Sequence, residues 1–305
     1  MRVLVTGGAG YIGSIVLERL AEIGHEAVAL DNLKYGNREA VHPGARLIEC
    51  DLSDAERLCS LLTELRPDAA LHLAAEAYID DSIRDPGLFF EVNTAGTLNL
   101  LRAMVSAGCR RLVFSSTAAV YGEPVVIPIA EDHPCDPVNS YGESKLQAER
   151  MMPWFQHADG LGWIALRYFN ACGATERYGE ARRKETHIIP LLFDVAAGKR
   201  DVFTLFGTDY DTEDGTCVRD YVHVSDIADA HLLALAATEA PVGAAYNIGS
   251  GHGYSNLQVI ETVREVTGVA IQVRHGDRRP GDPAKLVASH DKIARELGWR
   301  PKHRD

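Results

Sequence analysis

The chain is short of positive charge: 31 Lys and Arg stand against 43 Asp and Glu, a formal net charge of −12. That balance argues against a nucleic-acid or anionic-membrane partner, and an anionic substrate would need a local basic pocket. No apolar run approaches the ~18 residues of a membrane span, so no membrane association is expected. Met1 leads directly into the strand-like Arg2-Val3-Leu4-Val5-Thr6 with no signal-peptide pattern, and a cytoplasmic protein is expected. The 6 cysteines, Cys50, Cys59, Cys109, Cys135, Cys172 and Cys217, never fall into C-x-x-C spacing, which speaks against a zinc site or a disulfide framework. The 12 histidines contain no H-E-x-x-H pairing, so no metal is expected. Internal repeats and low-complexity tracts are also missing.

What is present begins at the N-terminus. The first strand runs into Gly7-Gly8-Ala9-Gly10-Tyr11-Ile12-Gly13 and then an apolar-periodic segment through Leu17, Leu20 and Ile23, a strand–turn–helix order. Gly8-x-Gly10-x-x-Gly13 and Gly7-x-x-Gly10-x-x-Gly13 both fit dinucleotide-binding turns. Glycines there allow a tight turn, let backbone N–H groups approach a pyrophosphate, and seat the helix N-terminus against it. A second strand, 26–30, ends at Asp31, where an acid suits the ribose hydroxyls of NAD and repels the 2′-phosphate of NADP.

Strands at 46–50, 69–73 and 111–115 alternate with helices near 54–65, 86–107 and 141–151. Such alternation predicts an α/β fold, a Rossmann-type doubly wound parallel sheet whose ligands gather at the strand ends. Thr6-Gly7, Asp31, Asp51, Leu73-Ala74-Ala75 and Ser115-Ser116-Thr117 all fall at such ends. Beyond about residue 168 the rhythm gives way to an irregular loop and scattered short segments. The expected division is a dinucleotide-binding domain over 1–168, taking in part of about 215–240, and a smaller C-terminal α/β substrate domain over 169–305.

Ser115-Ser116-Thr117-Ala118-Ala119-Val120-Tyr121-Gly122 and Tyr141-Gly142-Glu143-Ser144-Lys145 supply a hydroxyl, a phenol and an ammonium. On a helix Tyr141 and Lys145 share one face. An ammonium about 5 Å from the phenol, at an effective dielectric of about 20, favours the phenolate by roughly 3 kcal/mol, or about two pKa units. Tyr141 then becomes a usable general base. The spacing alone also fits an ordinary exposed helix, so the glycine turn and Asp31 carry the weight.

These segments, with Arg167-Tyr168-Phe169-Asn170, the run from Glu185 to Pro190, the run from Asp214 to Val224 and Arg278-Arg279-Pro280-Gly281-Asp282, resemble in order the UDP-glucose 4-epimerases of the extended short-chain dehydrogenase family, from residue 1 to about 301. The resemblance implies a bound NAD that takes hydride from C4 of the hexose while Tyr141 removes the hydroxyl proton, with Thr117 hydrogen-bonding that oxygen and Lys145 lowering the phenol's pKa. It implies NAD contacts at Tyr11, Ile12, Asn32, Asp51, Leu52, Asn93 and Tyr168. It implies UDP-sugar contacts at Asn170, Arg219 and Arg279 for the diphosphate, Asp282 for a ribose hydroxyl, Phe206 for uracil, and His187, Ile188 and Thr204 on the pocket wall. A homodimer is implied, pairing helices near 88–107 and 140–156.

Related dehydratases carry an Asp-Glu pair after the threonine, and this chain has Ala118 and Ala119, so epimerisation is the better fit. A non-catalytic NAD sensor is the reading from another class. Ala77 stands where many relatives have a lysine, and Lys285 is aligned with the position that gates the sugar's C2 substituent. UDP-N-acetyl sugars and UDP-pentoses therefore stay open beside UDP-glucose and UDP-galactose.

Overall fold

A computed structural model describes residues 1–182, 185–240 and 242–303. Its first half alternates as β1 (Arg2–Thr6), α1 (Tyr11–Glu22), β2 (Glu26–Asp31), β3 (Arg46–Glu49), α2 (Ala55–Leu65), β4 (Ala69–His72), α3 (Ile79–Arg84), α4 (Pro86–Phe89), α5 (Gly96–Ser106), β5 (Arg111–Thr117), α6 (Ser140–Asp159) and β6 (Gly162–Tyr168). The second half holds β7 (Asn170–Cys172), α7 (Ile188–Ala196), β8 (Phe203–Phe206), β9 (Val218–His223), α8 (Val224–Ala237), β10 (Gly243–Ile248), β11 (Gly253–Ser255), α9 (Asn256–Thr267), β12 (Val273–Gly276), β13 (Lys285–Leu286) and α10 (Asp291–Leu297).

Seven strands form one parallel sheet in the order β3-β2-β1-β4-β5-β6-β10. The period of two along β1 explains why both faces are covered: Val3 and Val5 join the apolar cluster under α1 and α8, while Leu4 joins the one under α2, α5 and α6. Chain order reverses between β2 and β4 on either side of β1, which leaves a crevice at the carboxyl end of β1.

The sheet reaches further along the chain than expected. β10 pairs in parallel with β6, Gly243 opposite Trp163, and Trp299 is 2% exposed in the α1/α8 cluster, its indole donating to the Asp226 carbonyl at 2.8 Å. The large sheet thus takes in 243–248 as well as the strands before residue 168. The strand Gly-Ala-Ala-Tyr-Asn-Ile has few β-branched residues to announce it.

The remaining elements cover the carboxyl side of the sheet. β9 joins β7, β11 and β13 in a small sheet, and β8 pairs with β12. α7 and α9 pack on the latter pair through Leu192, Val195, Phe203, Leu205, Val259 and Ile260. The expected helix over 86–107 is a rod in three parts, in which a π turn, Phe90–Ala95, separates α4 from α5. The wider turn buries Asn93 at 1% exposure.

Candidate active site

The glycine turn is built so that backbone, not side chain, faces the crevice. Gly7 sits at φ +70°, and a Cβ there would lie 2.7 Å from the Ala74 nitrogen. A Cβ on Gly13 would come within 2.1 Å of the Gly7 carbonyl oxygen, and one on Gly10 within 3.2 Å of it. Only glycine lets α1 seat its N-terminus this close to β1. Asp31 closes the turn by accepting from Ala9 N at 3.0 Å and Leu33 N at 2.8 Å, and burial pushes its carboxyl pKa upward against those two bonds.

The rest of the rim assembles beside it. Asn32 donates to Asp51 at 2.6 Å, Leu73 N donates to the Thr6 carbonyl at 3.0 Å, and Ala74 N to the Thr6 hydroxyl at 3.3 Å. Ala75 continues that loop. Leu52 is buried against the Gly96 turn, and Ile12 packs on the sheet beneath α1. The Tyr11 hydroxyl donates across the crevice to the Gly173 carbonyl.

Two of the expected cofactor contacts, Asn93 and Ser116, also make buried bonds within the protein. Asn93 Oδ1 accepts from Glu76 N at 2.9 Å, and its amide donates to the Glu76 carbonyl and the Ser144 hydroxyl, each at 3.0 Å. Asn93 thus ties the loop after β4 to α6. The Ser116 hydroxyl donates to Glu149, which holds a buried ion pair with Arg167 at 2.6 Å.

Thr117 ends β5, and Tyr141 is the second residue of α6, whose start is fixed by Asn139 accepting from Gly142 N at 2.9 Å. The Thr117 hydroxyl accepts from Ala119 N at 3.1 Å and lies on the same cleft as Tyr141. Lys145 is 2% exposed, stands 4.8 Å above the Phe114 ring, and donates to the Ser115 carbonyl at 2.9 Å. Burial pushes its ammonium down to about 7, with Glu149 opposing. Next to it the Tyr168 hydroxyl hydrogen-bonds His231, and burial pushes its phenol up.

Burial raises the Tyr141 pKa, and Thr117 and the field of Arg182 offset part of that rise.

Thr117 and Tyr141 open onto a cleft of roughly 940 Å³ between the sheet and the C-terminal elements. Every expected substrate contact lies on its wall: Asn170, His187, Ile188, Thr204, Phe206, Arg219, Arg279 and Asp282. Arg219 is nearly buried and ion-paired with Asp282, and the Arg279 guanidinium sits 4.3 Å over the Phe206 ring. Ala118 and Ala119 line the wall beside Thr117.

Lys285 does not reach the cleft. It is exposed, and its neighbour Leu286 lines the wall, because successive residues of a strand point to opposite sides.

The loop before α7 adds residues that the sequence did not mark. The Arg182 guanidinium lies 5.9 Å from the Tyr78 ring centre, 3.2 Å from Glu180 and 3.4 Å from His187 Nε2. A cation thus stands beside Tyr78, one residue from Ala77. Glu185 accepts from His187 Nδ1 at 2.6 Å. Glu180, Glu185 and His187 bring three metal-type ligand atoms within 4.8 Å of one another, but Arg182 already supplies the positive charge among them. Glu185 lay in a recognisable run; Glu180 and Arg182 lay in an aperiodic stretch with no spacing to flag them.

The NAD dependent epimerase/dehydratase family model matches residues 3–249. The chain belongs to that family. Among its members, the UDP-glucose 4-epimerase of Corynebacterium glutamicum is 48% identical over 305 residues, covering 100% of this chain and 92% of the relative. Two crystal structures are similar at TM-score 0.95. The Brucella ovis UDP-glucose 4-epimerase in complex with NAD is 40% identical, covering 100% of this chain and 94% of that one. The Bifidobacterium longum UDP-glucose 4-epimerase in complex with NAD+ and UDP is 34% identical, covering 99% and 94%.

Proposed function

We propose that this chain is an NAD-dependent isomerase that inverts C4 of a UDP-hexose, interconverting UDP-glucose and UDP-galactose through a 4-keto sugar. The observation that carries the reading is a single cleft that brings Thr117 and Tyr141 together with Arg219 and Arg279 on its wall. The glycine cradle suits a dinucleotide, because a side chain at Gly7, Gly10 or Gly13 would meet backbone where the phosphates are to sit. The named relatives and neighbours support both the cofactor and the nucleotide sugar.

Bound NAD supplies a hydride acceptor and returns the hydride. Tyr141 takes the 4-hydroxyl proton and gives it back, and Thr117 hydrogen-bonds that oxygen. Lys145, buried one helical turn on from Tyr141 and donating to the Ser115 carbonyl, lowers the phenol's pKa. Asn170, Arg219 and Arg279 bind the diphosphate; guanidinium forks suit it and provide the local basic pocket that an acidic protein needs. Asp282 takes a ribose hydroxyl and Phe206 the uracil. Ala118 and Ala119 offer no acid to protonate a leaving hydroxyl, so hydride return is the remaining outcome. The enzyme works as a cytoplasmic homodimer.

Purified protein is expected to interconvert UDP-galactose and UDP-glucose with no net NADH, and Tyr141→Phe to lose most of that turnover while keeping its NAD. A stable keto sugar as product would instead mean a dehydratase, and bound NAD with no turnover on any UDP-sugar would mean a sensor.

A further inference from the structure

Two loops meet across the mouth of the cofactor crevice. The glycine turn follows β1, and β1 lies between β2 and β4, so a contact joining the loop after β2 to the loop after β4 crosses the turn. There Lys34 Nζ forms an ion pair with Glu76 Oε1. Beside it the Tyr35 and Tyr78 rings meet edge to face, centroids 5.5 Å apart, and Lys34 stands 4.9 Å over the Tyr35 ring.

One half of this pair is fixed and the other is free to move. Glu76 is 4% exposed, and its backbone N–H and C=O are both held by the Asn93 amide, at 2.9 and 3.0 Å. A carboxylate that deep needs a cation, and the one bonded to it is Lys34. The Lys34 side chain is 44% exposed on a loop that the left-handed Leu33, φ 57°, bends back toward the turn. Asn37 N tacks the far end of the loop to the Ala9 carbonyl at 2.9 Å. Residues held at positive φ without being glycine are found at ligand clamps.

We propose that Lys34 and Glu76 are a latch over the dinucleotide, and that opening this ion pair governs how fast the cofactor leaves. The proposal rests on the reading that the crevice holds NAD, and deepens it. A nucleotide diphosphate under the latch is anionic, so Lys34 serves twice: it ties the loops together and screens the phosphates from the Glu76 carboxylate. Removing Lys34 therefore both opens the strap and leaves a bare carboxylate facing the diphosphate; removing the Glu76 charge only opens the strap.

The test is NADH release. Wild-type protein, Lys34→Met, Glu76→Gln and the double variant are loaded with NADH and chased with excess NAD+, and the loss of bound NADH fluorescence is timed. Lys34→Met is expected to release NADH at least about tenfold faster, the scale of one lost charge-assisted hydrogen bond. Glu76→Gln is expected to accelerate release less, and the double variant to release no faster than Glu76→Gln, since nothing remains to repel. NAD content after gel filtration should fall in the same order, with added NAD restoring turnover. Release rates within twofold of wild type in all three variants, or a double variant faster than either single one, overturn the latch while leaving the cofactor site intact. A wild-type protein that takes up no NADH overturns both the latch and the reading beneath it.

Discussion

At the residue scale the base is set by competing neighbours. Burial raises the Tyr141 phenol, and Thr117 and the Arg182 field offset part of that rise. The working base is the deprotonated phenol, so losing a cation that favours it moves the acid limb of the pH profile to higher pH. Arg182→Gln is expected to shift the acid limb of kcat/KM alkaline of wild type; superimposable profiles would remove Arg182 from that role. Tyr141, Lys145 and Thr117 were legible because their residue types and spacing carry the chemistry. Arg182 was not, because its position over Tyr78 depends on the path of an aperiodic loop. In the two-residue strand β13 Lys285 is exposed and its neighbour Leu286 is the one that lines the cleft, a difference of facing that residue type alone does not reveal.

At the element scale α6 does two jobs with two faces. Its first turns place Tyr141 and Lys145, and further along Trp154 stands 74% exposed. A large aromatic in water on an otherwise well-packed helix is the kind of anchor that a partner surface buries. In the proposed dimer it serves that purpose, and Trp154→Glu is expected to weaken association by more than about thirtyfold, the scale of an interface hot spot, with the monomer still folded. Sedimentation over a concentration series decides it; an unchanged dimer would place the interface elsewhere. Elements with strong periodic patterns, such as α1 and α2, were legible within a few residues. The π turn was not, since a single wider turn leaves no trace in hydrophobic spacing, although it is what turns Asn93 inward.

At the scale of the whole molecule, buried neutral groups tie stability to pH. His231 is fully buried against Tyr168, and burial pushes its pKa from 6.5 down to about 3. Between those values the unfolded chain binds a proton that the folded one refuses, so this group withdraws stability as pH falls from 6.5 toward 3. His231→Gln removes that term and loses a pH-independent contact. Urea unfolding at pH 7.5 and 5 should show the variant's deficit relative to wild type shrinking by about 2 kcal/mol at the lower pH. A constant deficit would mean that His231 titrates normally. Buried carboxyls such as Asp220, whose pKa is raised, oppose the trend in both proteins and cancel in the difference.

The late arrival of β10 has a consequence for synthesis. Until Gly243–Ile248 emerges and docks, β6 is an open edge bearing a row of unpaired backbone groups, the template that invites another chain to pair. At typical elongation rates the ribosome needs on the order of ten seconds to travel from the end of β6 to the end of β10. During that interval the nascent sheet is complete everywhere except along one side, and its safest companion is a chaperone rather than a sister chain.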